Sequence, residues 1–210
     1  MRTETGSPAR RQRADGRRTR EAIVLAAARL ATVQGIDGVT IGGLAAELGM
    51  SKSGLYAHFA SKVDLQLAAI AEADRIFEEA VIAPAMEQPS AHARLLALCE
   101  YYLQHLRDRV FPGGCFFAGR TLEMGSRPGP VREAVADFNA RLSELIIDLI
   151  VSAQAEGHLR DEDPRALLFE LGGYFLQASA SVSLGDDRVL DVADAVMRRR
   201  LGSGEPIQLG

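Results

Sequence analysis

Between Thr40 and Phe59 the chain carries two helix-start signals with a stop between them, and this spacing limits the fold more than any other feature. The hydroxyls of Thr40 and Ser51 stand where each can accept an otherwise unpaired backbone N–H at a helix N-terminus. Gly49 stands where a helix end favours a residue that tolerates positive φ. The pattern predicts one short helix through Leu44, Ala45 and Leu48, and another through Leu55, Tyr56 and Phe59. Helices of about seven residues cannot bury a face by themselves. The segment before them supplies a partner: over residues 17–34, Ile23, Ala27, Leu30 and Ala31 recur at the helical repeat, and Gly35 provides a stop before a turn at residues 35–38.

Packed together, the three helices form a tri-helical unit with an expected core of Ile23, Ala27, Leu30, Ile36, Val39, Ile41, Leu44, Leu48, Leu55 and Phe59. A helix-turn-helix of this shape presents its second helix to the major groove of DNA. That helix opens with Ser51, Lys52, Ser53 and Gly54, small and polar residues suited to close approach. The competing reading is an ordinary helical hairpin.

The rest of the chain repeats the helical pattern. Ser61 with Asp64 resembles a capping box, followed by a helix through Val63, Leu67, Ile70, Phe77 and Val81, with breaks expected at Ala83-Pro84 and Gln88-Pro89. Residues 90–108 form a helix with Leu95, Leu98, Tyr102 and His105 or Leu106 inward. A turn at residues 111–114 precedes a short apolar helix over 115–124. A second turn at residues 127–130 places Pro130 at a helix start. Val131, Val135, Phe138, Leu142, Leu145 and Leu149 then alternate by four and three until Gly157. Asp163-Pro164 starts a further helix, and a last one covers about 187–201. No strand pattern competes, so the expected class is all-α, with about nine helices. Residues 1–16 read as a disordered basic arm or a tail without a role, and 202–210 as a disordered tail.

Charge divides the chain in the same place. The net charge is −4, yet residues 1–65 carry ten basic and six acidic side chains, and residues 66–210 carry fourteen and twenty-two. Such asymmetry suggests that one part meets a polyanion and the other does not. Both lysines of the chain, Lys52 and Lys62, lie in the short-helix region. No apolar run reaches the ~20 residues a membrane span needs, and the Arg-rich N-terminus does not read as a secretory signal. Two cysteines, Cys99 and Cys115, do not make a disulfide scaffold or zinc finger, which points to a cytoplasmic setting. No metal or nucleotide motif is present, and no cofactor is expected.

Residues 40–65, TIGGLAAELGMSKSGLYAHFASKVDL, closely resemble the DNA-binding signature of the tetracycline-repressor (TetR) family of bacterial regulators. The match lies in Thr40, Ile41, Leu44-Ala45, Leu48-Gly49, Ser51, Leu55-Tyr56, His58-Phe59 and Ser61-Lys62, in unbroken register. The stretch PGGCFFA at 112–118 and the RPGPVR turn also look like a subset of that family. The resemblance implies a helix-turn-helix domain over 17–62 and an effector-binding and dimerisation domain over 63–201. It also implies a homodimer on palindromic half-sites of double-stranded DNA, released by a small-molecule effector. Lys52 and Ser53 match positions that face base edges, while Thr40, Tyr56, His58 and Lys62 match phosphate contacts. Tyr56 also reads as a core residue, His58 as capping or exposed, and Lys62 as part of a solvated face. Gly42 and Gly43 depart from the larger residues usual in the second helix, and Ala57 from a larger contacting side chain.

An effector pocket is expected among Tyr102, His105, Cys115, Phe116, Phe117, Glu123, Phe138, Tyr174 and Gln177, each of which also reads as core. A dimer contact is expected from the last two helices through Phe175, Ala178, Ser179, Val182, Leu190, Ala193, Val196 and Met197. Activation in place of repression is the alternative within the same fold. A Cys115–His105 nucleophilic pair would instead make the chain an all-α enzyme, although an apolar neighbourhood more often holds an inert thiol. The expected reading is a regulator and not an enzyme.

Overall fold

The first helix, α1 (Pro8–Gln34), is longer than its apolar repeat. The structure, a computed structural model, describes residues 8–124 and 128–202, with side-chain surroundings from residue 16 onward. Residues 8–16, expected as part of a disordered arm, are the first turns of α1, and residues 1–7 lie outside the described residues. This segment, PARRQRADG, is mostly Arg and Ala, which favour helix, and its sequence has no apolar repeat, so periodicity does not reveal it.

The caps fall where the sequence places them. Thr40 Oγ1 accepts from Gly43 N at 3.0 Å ahead of α2 (Ile41–Glu47), and Ser51 Oγ accepts from Gly54 N at 3.0 Å ahead of α3 (Lys52–Tyr56). Gly49 closes α2 at φ +64. α3 is one turn shorter than expected, and Phe59 lies beyond its end, fully buried. Eight residues of the expected tri-helical core are buried, and Leu30 and Leu48 are half-buried at its edge. Arg20 sits 4.8 Å above the Phe59 ring, binding α1 to the far end of the unit by a cation–π contact.

Ser61 caps α4 (Lys62–Phe77): its Oγ accepts from Asp64 N, and Asp64 Oδ2 accepts from Ala60 N. This is the expected reciprocal cap, shifted by one residue. The break expected at Ala83-Pro84 does not occur. α4 runs on through a π-helical turn (Glu78–Ile82) into a last turn (Ala83–Met86). The wider turn accommodates a proline whose ring would strike the carbonyl four residues earlier in a regular helix.

The remaining helices are α5 (Ala91–Arg107), α6 (Phe116–Met124), α7 (Pro130–Ala155), α8 (Pro164–Ser183) and α9 (Val189–Arg200). With α4 counted as one continuous helix, the described residues form nine helices and no strand. Of the expected tail, residues 203–210 lie outside the described residues, as does Arg127 of the second turn. α5 packs against α7, α8 and α9. At the centre Phe77 of α4 meets the rings of Tyr102, His105, Phe117 and Phe138 at centroid distances of 5.3–6.5 Å. α4 thus packs on α1 near its start and ends in the core of the C-terminal helices, so one helix belongs to both halves.

Candidate functional site

α3 is anchored by one side chain and open on the rest. Leu55 is fully buried, while Ser51, Lys52, Ser53 and Tyr56 are exposed and Gly54 is half-buried. Tyr56 is 58% exposed, which removes the core reading of that residue. Ser53 Oγ lies 3.1 Å from Ser51 Oγ, so both hydroxyls crowd the helix start. The Lys52 stem lies over α2: a β-carbon on Gly42 would stand 3.3 Å from Lys52 Cε. The glycine that departs from the family pattern therefore gives the lysine room to lie down along α2. His58 is half-buried beside Phe59, with ring centroids 6.5 Å apart.

Lys62, exposed at the start of α4, donates from Nζ to Asp37 O at 2.6 Å. That carbonyl belongs to the turn between α1 and α2, and the turn is held from two sides. Buried Gln66 of α4 donates from Nε2 to Ile36 O at 2.7 Å. From α6, Glu123 Oε2 accepts from Ile36 N at 3.1 Å and Oε1 from Asp37 N at 3.4 Å. Gly35 makes this grip possible: its φ is +80, and a β-carbon there would stand 2.7 Å from Glu123 Oε1. Nearby, Arg29 Nε donates to Val110 O and Gly113 N donates to Thr32 Oγ1. A β-carbon on Gly113 would fall 1.9 Å from Thr32 O, so the loop ahead of α6 lies directly on α1.

α6 also walls a cavity of about 220 Å³ between α4, α5, α7 and α8. Of the residues expected at a pocket, Tyr102, Cys115, Phe117 and Phe138 line it, joined by Phe175, Thr121, Asn139, Ser143 and Leu168 among others. The other expected residues stand elsewhere. Phe116 is 1% exposed and packs on Phe111, and His105 lies between Phe77 and Phe111. Glu123 grips the turn, Tyr174 packs half-buried against the core, and Gln177 is exposed and donates to Ser181 Oγ. On α8, Phe175 lines the cavity whereas Gln177, two residues further on, is exposed. The polar wall residues Asn139 and Ser143 gave no signal within a strongly apolar periodic helix.

The cavity wall is chemically quiet. Burial pushes the Cys115 thiol above its ordinary value, and its backbone N–H donates to Ser179 Oγ at 2.9 Å. Burial also raises the Tyr102 hydroxyl, which donates to Phe175 O at 3.0 Å. Burial lowers His105, and its Nδ1 has no hydrogen-bond partner among the described residues. For Cys115, burial outweighs the backbone contacts of Ala118 and Phe117 and the Tyr102 hydroxyl, which act to lower it.

The residues expected at a dimer contact mostly point inward. Ala178, Ser179, Val182, Leu190, Ala193 and Met197 are buried within the chain, Phe175 lines the cavity, and Val196 is half-buried. Of the α8 residues that the sequence assigns to a partner, Ala178, Ser179 and Val182 fill the chain's own core instead. The outward stripe of α8 is Phe169, Gly172, Gly173, Leu176, Ala180 and then Leu184, with Phe169 83% and Leu184 87% exposed.

Among the described residues no helix is long and apolar enough to cross a membrane, and no cluster of potential metal ligands occurs. A comparison with curated proteins finds no match. Solved structures match over nearly the whole chain. A TetR transcriptional regulator from Chloroflexus aurantiacus is 25% identical with a TM-score of 0.80, over 91% of this chain and 98% of that one. A TetR-family regulator from Streptomyces coelicolor is 26% identical with a TM-score of 0.73, over 87% and 94%. AibR, solved with isovaleryl coenzyme A and operator DNA, shares the fold at 23% identity and a TM-score of 0.68, over 86% and 97%. Residues 23–69 match the model of bacterial regulatory proteins of the tetR family, and residues 91–197 match the tetracyclin repressor-like C-terminal domain. Together these two matches take in most of the helical body described above, and the chain belongs to the TetR family of DNA-binding transcriptional regulators.

Proposed function

We propose that this protein is a homodimeric repressor that a small-molecule effector releases from a palindromic operator, acting in the cytoplasm and not as an enzyme. The observation that carries this reading is the hydrogen-bonded turn at residues 35–38. Glu123 holds it from the helix that walls the cavity, and Lys62 and Gln66 hold it from the helix that follows the probe. An occupant that displaces α6 therefore acts on the base of the DNA-binding unit. Such an occupant shifts the equilibrium only by as much as it prefers one state over the other.

On the duplex, Lys52 and Ser53 face base edges, with Ser51 and Gly54 at the same helix start. Thr40, Tyr56, His58 and Lys62 meet phosphates. Lys62 uses one of its three donors on Asp37 O, which leaves two for the backbone. AibR, which shares this fold, was solved with both isovaleryl coenzyme A and operator DNA, so the fold can hold the two kinds of partner proposed here. The raised Cys115 thiol and the lowered His105 support a binding pocket over a nucleophilic pair.

Two copies meet through the outward stripe of α8 together with α9, whose Val192 is 56% exposed. Glycine and alanine between Phe169 and Leu184 let a symmetry-related helix approach closely.

The test is fluorescence anisotropy on DNA upstream of the protein's own gene. The expected complex is sequence-selective, and its affinity falls log-linearly with salt. Lys52→Ala is expected to weaken it by about 1–3 kcal/mol at one base position. Absence of any salt-sensitive, selective complex on that or any selected DNA overturns the reading.

A further inference from the structure

A second cavity, of about 430 Å³, lies between α1, α6 and α8 and shares Ala118, Leu122 and Leu176 with the apolar one. Its lining differs in character. Arg120 of α6 lines it, alongside Thr32, Ser179 and Ser183. Small residues leave the space open, and nothing stands within 4 Å of where a β-carbon of Gly119 would be.

Arg120 is the unusual residue here. It is 8% exposed, and its Nε and Nη1 make no hydrogen bond among the described residues. Glu123 Oε2 lies 3.0 Å from Nε, close enough for an ion pair but without an aligned hydrogen bond. Both oxygens of that carboxylate already accept from the 36–37 turn. A buried guanidinium with unmet donors is costly unless a further acceptor arrives. Its planar fork suits a carboxylate or a phosphate.

We propose that the two cavities form one bipartite site for an amphipathic anion. The apolar chain of the ligand lies among Phe77, Phe117 and Phe138, and its anionic head pairs with Arg120. This deepens the effector reading above and rests on it. An anion at Arg120 competes with Glu123 for the guanidinium, and Glu123 is the residue that grips the turn of the DNA-binding unit.

The test is isothermal titration calorimetry of the full-length protein with octanoate, octyl phosphate and octanol, three probes with one chain and different heads. At least one anion is expected to bind tenfold or more tightly than octanol, and the stronger of the two identifies the head as carboxylate or phosphate. Arg120→Gln is expected to bring the anions down to the affinity of octanol while octanol changes less than twofold. Arg120→Lys, which keeps the charge but loses the fork, is expected to retain part of the preference. Three results overturn the proposal: octanol binding as tightly as both anions, none of the probes binding at millimolar concentration, or Arg120→Gln keeping the preference. The first two are read on the unaltered protein and stand even if a variant fails to fold. Operator release is measured separately. An anion that binds through Arg120 yet leaves the DNA complex intact refutes the effector reading and not the site. Release by octanol as effective as release by either anion does the reverse.

Discussion

Glu123 and Ile36 stand 87 residues apart in the chain and are joined by a 3.1 Å hydrogen bond from the Ile36 amide to the Glu123 carboxylate. It connects the end of α6 to the turn that launches α2, where no covalent path is short. Replacing Glu123 by Ala orphans the amide of buried Ile36 and leaves Arg120 without its counter-charge. A loss of about 2 kcal/mol is expected, seen as a fall of roughly 4–8 °C in the melting temperature. Glu123→Gln, which keeps one acceptor, is expected to lose less. Faster hydrogen exchange at the Ile36 amide in the Ala variant would locate the effect, and unchanged exchange there would contradict it.

Two glycines near α6 make a matched pair. A methyl group on Gly113 would stand 1.9 Å from the Thr32 carbonyl oxygen, whereas one on Gly119 meets nothing within 4 Å. Gly113→Ala forces the loop off α1 and breaks its hydrogen bond to Thr32 Oγ1. A destabilisation above about 2 kcal/mol is expected. Gly119→Ala, inside α6, gains helix propensity of about 0.5–1 kcal/mol. Chemical denaturation of both variants checks the contrast. Equal effects would mean that the loop does not bear on α1 in solution.

His105 predicts a pH dependence. Burial among Phe77, Phe111 and the α5 core lowers its value below the ordinary 6.5, while Asp108 pulls the other way more weakly. Because the folded state favours the neutral ring, the unfolded chain takes up a proton first as pH falls. Stability is therefore expected to decline from about pH 7 downward until the folded-state value is reached, and then to level off. Glu156, lowered mainly by the Ala91 amide it caps, and Glu170, lowered by Arg200, act in a separate window. Their contributions are present above the ordinary carboxylate value of 4.5 and are lost as pH falls through their lower folded-state values. Melting curves of His105→Phe between pH 5 and 7.5 should be flat where the parent protein slopes. A slope of equal size in the variant would assign it to another group.

Sequence reading recovers what depends on local chemistry. Thr40, Ser51 and Ser61 announce helix starts because a cap is a contact between near neighbours, and the nearby turns follow from glycine. Local pattern fails where the deciding contact is distant or the helix is polar. The first turns of α1 have no apolar face to display. Pro84 reads as a break because nothing local shows that a π-helical turn will take it in. Glu123 reads as a polar pocket group because the turn it grips lies more than eighty residues away. Phe175 and Ala178 show which helix matters without showing which side of it faces the chain's own core.

The outward stripe of α8 makes the assembly testable residue by residue. Phe169 is 83% exposed and Leu184 87%, whereas Ala178 and Val182, on the same helix, are buried. Phe169→Glu places a charge on the outward face without disturbing the core, so a folded protein of half the parent mass is expected by light scattering at micromolar concentration. Val182→Glu instead introduces an unpaired charge into the interior and is expected to unfold the chain. A dimer joins two probe helices to successive half-sites, and linking them raises overall avidity by about 10²–10⁴-fold when the geometry allows both to engage. Phe169→Glu should therefore weaken operator binding by a similar factor while a single half-site is bound as before. If the parent protein is monomeric at micromolar concentration and holds a full operator no better than a half-site, the stripe serves some other contact.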